Sequence, residues 1–166
     1  IGASVGAALA TGPCDPIELT RQADIALYHA KAAGRNTHAV FGEHMDELLR
    51  RRRALESDLR FAVETRTQLE TFYQRVFNAT DGSICSLEAL ARWKHPTMGY
   101  ISPDQFIPLA EDIGLINDIG ALVLDNACRT LADLPGISIA INASPLELGS
   151  PGYSLRVLTT LANMNV

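Results

Sequence analysis

The chain has 166 residues, 47% hydrophobic and 20% charged, which suits one ordinary globular domain or two small ones. Its net charge of -5 argues against a general affinity for nucleic acid polymers or anionic membrane, which needs a basic excess. Cys14, Cys85 and Cys128 are too few and too scattered for a disulfide framework or a zinc pattern, so a reducing cytoplasm is the expected compartment. No apolar run approaches the roughly 18 residues of a membrane helix. Ile1-Gly2-Ala3 carries no basic leader, and the chain starts without Met and stops after a helical pattern. An internal segment of a longer protein is therefore expected.

Val5, Ala7 and Leu9 alternate as in a strand of small residues. Asp15-Pro16-Ile17-Glu18 then predicts a helix start, with Asp15 as N-cap, Pro16 at the first helical position and Glu18 completing a capping box. Ile17, Ala23, Ala26, Leu27 and Ala30 form its apolar face, Gly34 is the expected stop, and a short strand follows from Thr37 to Phe41. This run, centred on ADIALYHAKAAGRN (Ala23 to Asn36), resembles the C-terminal end of a GGDEF domain, the diguanylate cyclase module. The resemblance implies that Lys31 and Arg35 lie where that family keeps basic residues near nucleotide phosphates. The plain alternative is a solvated helix end favoured by the macrodipole.

From Glu43 to about Thr65, Met45, Leu48, Leu49, Leu55, Leu59 and Ala62 recur at helical spacing. The basic run Arg50 to Arg53 is flanked by Asp46, Glu47, Glu56 and Asp58, so it is expected to be a salt-bridged, solvated helical face. Leu69 to Phe77 and Ser83 to Trp93 read as strands joined by a turn containing Asp81-Gly82, which predicts an antiparallel hairpin. Ser102-Pro103-Asp104-Gln105 has the form of a second capping box, opening a helix that Gly114 closes. A helix from about Asp118 to Leu134, a short, mostly apolar strand from Gly136 to Ala143 and a last helix from Tyr153 to Asn163 complete the pattern. Trp93 and Phe106 are expected in the core.

Within this half, Ser86 to Ile116 (SLEALARWKHPTMGYISPDQFIPLAEDIGLI) resembles the signature of EAL domains, bacterial phosphodiesterases that cleave cyclic di-GMP. The resemblance implies an α/β fold: a GGDEF tail over residues 1–42, a connecting helix over 43–54, and the N-terminal half of an EAL domain over 55–166. That half would be an incomplete modified TIM barrel with an antiparallel first strand. A full barrel takes about 250 residues, so this segment alone is expected neither to turn over substrate nor to unfold in one cooperative step.

The resemblance also implies a chemistry. Phosphodiester hydrolysis at neutral pH calls for an activated water and a sink for phosphate charge, which two hard cations, Mg²⁺ or Mn²⁺, supply through oxygen ligands. Glu88 of the EAL motif and Asn142 of Asn142-Ala143-Ser144-Pro145 match the family's metal ligands. Read without the family, a strand-end Glu is usually solvated and an Asn before Ser-Pro is usually a turn former. Positions 88, 90 and 92 of a strand share one side, which places Leu90 and Arg92 with Glu88, and Arg92 matches the family's phosphate-side Arg. A barrel-rim Arg paired with a carboxylate is its alternative. Gln74 remains as a substrate contact, although Gln74-Arg75-Val76-Phe77 departs from the family's Gln-Pro-Ile-Val. The expected partner is cyclic di-GMP, with homodimerisation through the EAL domain as a further expectation. A degenerate EAL domain that senses cyclic di-GMP without cutting it, or a parent active mainly as a cyclase, are the competing functions.

Overall fold

Residues 2–164 and 166 are described by a computed structural model of the chain. Small residues near the N-terminus let two elements meet at backbone contact. Strand β1 (Val5–Ala7) lies against helix α1 (Pro16–Ala32) so closely that a methyl group on Gly6 would collide with the carbonyl of Ala23 and the amide of Leu27. Strand β2 (His38–Val40) pairs with β1 in parallel, from Val5↔His38 to Ala7↔Val40, giving a small β-α-β unit. Ile25, Ala26 and Ala30 of α1 are buried, and Gly34, just beyond the helix, has φ 104°.

The start of α1 differs from expectation in one respect. Asp15 does cap it, accepting the amide of Ile17 at 3.0 Å, but Glu18 does not close a capping box. Its carboxylate accepts from Arg21 Nε at 2.8 Å and from Gln22 at 3.1 Å. A charged donor one turn along outcompetes a neutral backbone amide.

Helix α2 (Glu43–Thr65) occupies the predicted span without a break. Arg50 pairs with Asp46 at 3.1 Å, Arg51 with Glu47 at 2.8 Å, and Arg52 lies 5.8 Å from the Tyr28 ring centre. The basic run is thus a face of i,i+4 ion pairs, as its flanking acids predict. By packing, the chain divides into two units, Ile1–Leu55 and Glu56–Val166, and α2 runs through the boundary.

Within the first unit, Arg21 joins α1 to α2 by reaching Asp46 at 3.1 Å. Hydrogen bonds from Arg21 hold the carboxyls of both Glu18 and Asp46 below the usual carboxylate range. Folded-state values that are lowered give stability above the unfolded carboxylate pKa, lost as pH falls through the folded value. Arg21→Met should therefore lower the unfolding temperature slightly at about pH 6, with the difference vanishing near about pH 2. Thermal melts of both proteins across that range check it. A difference that grows in acid would contradict the pairing.

The second unit is built on a four-stranded sheet. Strands β3 (Leu69–Phe77) and β4 (Ile84–His95) form the antiparallel hairpin, in register from Leu69↔Trp93 to Val76↔Ser86, with an irregularity at Val76/Phe77. The other edge of β4 carries two partners. Its first half pairs in parallel with β6 (Ser138–Ile141), and its last residues pair antiparallel with β5 (Gly99–Ile101). Sheet alternation then sorts the side chains. Ala89 packs with Val123 and Ala127 of helix α4 (Ile116–Ala132), joined by Tyr73, Ala91, Ile139 and Ile141. Trp93 is fully buried and meets Phe106 of helix α3 (Pro103–Asp112) edge-to-face, ring centres 6.0 Å apart. The core prediction for both aromatics holds.

Ser102 stands at the N-terminus of α3 in the expected extended conformation, but its side chain caps nothing. The amides of Gln105 and Phe106 go to its backbone carbonyl instead, at 2.9 and 3.1 Å. Two further helices complete the unit, α5 (Pro145–Leu148) and α6 (Tyr153–Met164). Neither β5 nor α5 is anticipated by the sequence pattern. Among the described residues no helix is long and apolar enough to cross a membrane.

Candidate functional site

The face of the sheet turned away from α4 carries Gln74, Glu88, Leu90 and Arg92, because residues of even number on β3 and β4 lie opposite one another (Gln74↔Glu88, Phe72↔Leu90, Glu70↔Arg92). Glu88 lies in the middle of β4 and not near a strand end. The parallel register Glu88↔Ala140 brings the segment after β6 alongside it. Asn142, just past β6, donates its side-chain amide to Glu88 Oε1 at 2.6 Å. Two residues far apart in sequence thus meet side chain to side chain.

Arg92 is half-buried. Its guanidinium carbon lies 5.6 Å from the centre of the Phe72 ring, and Nη1 donates to the carbonyl of Ala91 at 2.8 Å. Gln74 is exposed on the same face. Lys31 and Arg35 belong to the other unit, where both are exposed beyond or at the end of α1, and Arg35 adopts a left-handed conformation with φ 61°.

A cleft of about 330 Å³ adjoins this constellation, with Leu90, Arg92, Glu111, Asn142, Ser144 and Glu147 in its wall. The last three belong to the turn that carries Asn142. Ser144 caps α5, accepting the amide of Leu146 at 3.2 Å, while the Glu147 carboxylate accepts the amide of Ser144 at 3.0 Å. The Ser144 hydroxyl also donates to Glu111 Oε1 at 2.5 Å, tying the turn to α3. Glu147 is only 4% exposed, and its carboxylate occupies the space that a side chain at position 120 would fill, so Gly120 is the residue that admits it. These contacts fix the path of the chain on either side of Asn142. The Ser-Pro-Leu-Glu spacing is a capping-box signal that was available in the sequence. Glu111 carried no such signal.

A carboxylate and an amide oxygen are donors that hard divalent cations accept. Glu88 and Asn142 therefore fit a part of such a shell. Among the described residues no group of three or more His, Cys, Asp or Glu side chains is gathered as a metal site.

A four-stranded mixed sheet with helix α4 packed on one face and polar residues on the other is a mixed α/β arrangement. The family model for the EAL domain matches residues 52–165, and the chain belongs to that family. It is 43% identical over 161 residues to the bifunctional diguanylate cyclase/cyclic di-GMP phosphodiesterase MucR of Pseudomonas aeruginosa, a match covering 92% of this chain and 23% of the relative. It is 37% identical over 153 residues to the cyclic di-GMP phosphodiesterase NbdA of the same species, covering 89% of this chain and 19% of the relative. The chain thus spans about a fifth of the length of these relatives. Among solved structures, the PaMucR phosphodiesterase in complex with c-di-GMP superposes with a TM-score of 0.63 at 42% identity, over 68% of this chain and 47% of that one. The FimX EAL domain from Pseudomonas aeruginosa bound to c-di-GMP gives a TM-score of 0.60 at 24% identity, over 66% of this chain and 45% of that one, a likeness of fold.

Proposed function

We propose that the protein carrying this chain is a phosphodiesterase that binds cyclic di-GMP and hydrolyses one phosphodiester to give linear pGpG. The observation that carries this reading is the 2.6 Å contact between Asn142 and Glu88 on the sheet face that also holds Gln74 and Arg92. In this reading residues 55–166 are the N-terminal half of the EAL domain, β3 is the antiparallel first strand of its barrel, and residues 43–54 connect it to a preceding module. Residues 1–42 are the end of a GGDEF domain. The β-α-β form of the first unit supports this, as does an alignment to a bifunctional cyclase/phosphodiesterase that extends over 92% of the chain. The cytoplasm is the proposed compartment.

Each residue has a role in the proposed site. Glu88 and Asn142 present oxygen donors for Mg²⁺ or Mn²⁺, which when bound lowers the pKa of a water and neutralises phosphate charge. Arg92 takes a phosphate through the two-pronged geometry of its guanidinium, already oriented by Phe72. Gln74 offers a hydrogen-bonding amide across from Glu88, and Leu90 forms an apolar floor between Glu88 and Arg92.

The binding half of this reading is tested through Arg92. Arg92→Ala removes a phosphate contact and no metal ligand, so cyclic di-GMP affinity should fall about ten- to hundredfold. Calorimetric titration with divalent metal chelated, which prevents turnover, measures it. Unchanged affinity in the Arg92→Ala protein would remove Arg92 from the site.

A further inference from the structure

On the same sheet face, one carboxylate is held away from the cation it would ordinarily neutralise. Glu70 and Arg92 are direct cross-strand partners in β3 and β4, the relation in which opposite charges on neighbouring strands usually pair. Here each side chain engages something else. Glu70 Oε2 accepts the phenol of Tyr100 at 2.8 Å, while the Arg92 guanidinium lies over Phe72 and bonds the carbonyl of Ala91. Tyr100 reaches Glu70 from β5, where it pairs with Lys94 of β4 and so stands on the same face. Its ring packs edge-to-face on Phe72, centres 5.7 Å apart, so that Phe72 contacts both Tyr100 and the Arg92 guanidinium. The phenol is a donor at neutral pH, and its hydrogen bond to Glu70 pushes its pKa further up from the ordinary value.

We propose that Tyr100 is a positioning residue for substrate binding: it holds the Glu70 carboxylate and so keeps that anion from closing on Arg92, whose guanidinium stays open to a phosphate oxygen. The proposal rests on the reading of Arg92 as a phosphate contact. Tyr100 itself touches no substrate. It acts by removing an internal competitor for the cation.

The test is a set of cyclic di-GMP dissociation constants, measured with metal chelated in the protein carrying this chain. Tyr100→Phe keeps the ring on Phe72 but frees Glu70, and affinity should fall about two- to fivefold, the worth of one exposed cross-strand ion pair. Adding Glu70→Gln to Tyr100→Phe should restore it, because the competing charge is gone. In an Arg92→Ala background, Tyr100→Phe should have no further effect. Unchanged affinity in Tyr100→Phe, as when freed Glu70 turns to the diagonal Lys94, would overturn the proposal. A loss that persists in the Tyr100→Phe/Glu70→Gln protein would overturn it too, since the ring or the fold would then be responsible. If Arg92→Ala alone binds like the parent, the reading of Arg92 fails, and the role of Tyr100 with it. Loss in Arg92→Ala without loss in Tyr100→Phe defeats only the present inference.

Discussion

Replacing Glu88 by Gln in the protein that carries this chain is expected to reduce cyclic di-GMP hydrolysis by orders of magnitude while leaving the fold intact. The substitution is close to isosteric. A glutamine at this position still offers an Oε1 that can accept the Asn142 amide, so the 2.6 Å contact joining β4 to the segment after β6 has a replacement. What disappears is the negative charge. In the proposed site a hard divalent cation would lose its anionic ligand at this position, and affinity for metal would fall with it. Turnover should therefore recover only at high Mg²⁺ or Mn²⁺ concentration, if at all. Binding of cyclic di-GMP with metal chelated should persist, because Arg92 and Gln74 are untouched. Steady-state pGpG release across a Mg²⁺ titration separates these effects. Full turnover by the Glu88→Gln protein at ordinary Mg²⁺ would remove Glu88 from the metal site.

Trp93→Ala is expected to cost the second unit about 3–5 kcal/mol, the usual range for deleting a fully buried Trp. Trp93 is 0% exposed, sits opposite Leu69 and Ile101 in the sheet, and contacts both His95 and Phe106 edge-to-face. Its indole N–H also donates to Gln68 Oε1 at 3.2 Å, so truncation leaves an acceptor without its donor as well as a cavity. The neighbouring Arg92 points to the other face. The same deletion should thus be felt first in stability and in substrate binding only when the unit begins to unfold. Urea unfolding of the two proteins measures the loss. A cost below about 1 kcal/mol would show that the site is not the packed core described.

Long, strongly periodic segments were legible in the sequence. Helix α2 and strand β3 begin and end where their patterns predict, and period-2 alternation correctly put Glu88, Leu90 and Arg92 on one side of a strand. The short strands β1, β2 and β6 fall within predicted spans, but two other short elements, β5 and α5, were not anticipated. The three residues of β5 sit in a Pro/Gly-punctuated stretch, and the hairpin leading to them is organised by His95, whose Nδ1 accepts the amides of Thr97 and Met98. The four residues of α5 follow Asn142 where the pattern reads as a turn, although the Ser144–Glu147 capping-box spacing marks their start. Caps were half legible. Asp15 and Ser102 occupy the expected positions, but whether a side chain takes the cap depends on competitors such as Arg21 that position alone does not reveal.

The site divides in the same way. Residue types at Glu88, Arg92 and Asn142 were visible because the surrounding segment is distinctive. The contact between Glu88 and Asn142 was not, because it depends on the parallel pairing of β4 with β6, a long-range register that no local pattern encodes. The contact of Ser144 with Glu111 is long-range in the same way, and the diversion of Glu70 by Tyr100 depends on the pairing of β4 with both β3 and β5, whereas the Ser144–Glu147 capping box is local.

The central claim, hydrolysis at a site containing Glu88, Asn142 and Arg92, is tested most directly by incubating the protein carrying this chain with cyclic di-GMP and Mg²⁺ and following pGpG release. Release that stops when the metal is chelated and resumes when it is returned is the predicted result. Stoichiometric binding of cyclic di-GMP with no pGpG formed at any Mg²⁺ or Mn²⁺ concentration would contradict it and leave a sensor in place of an enzyme.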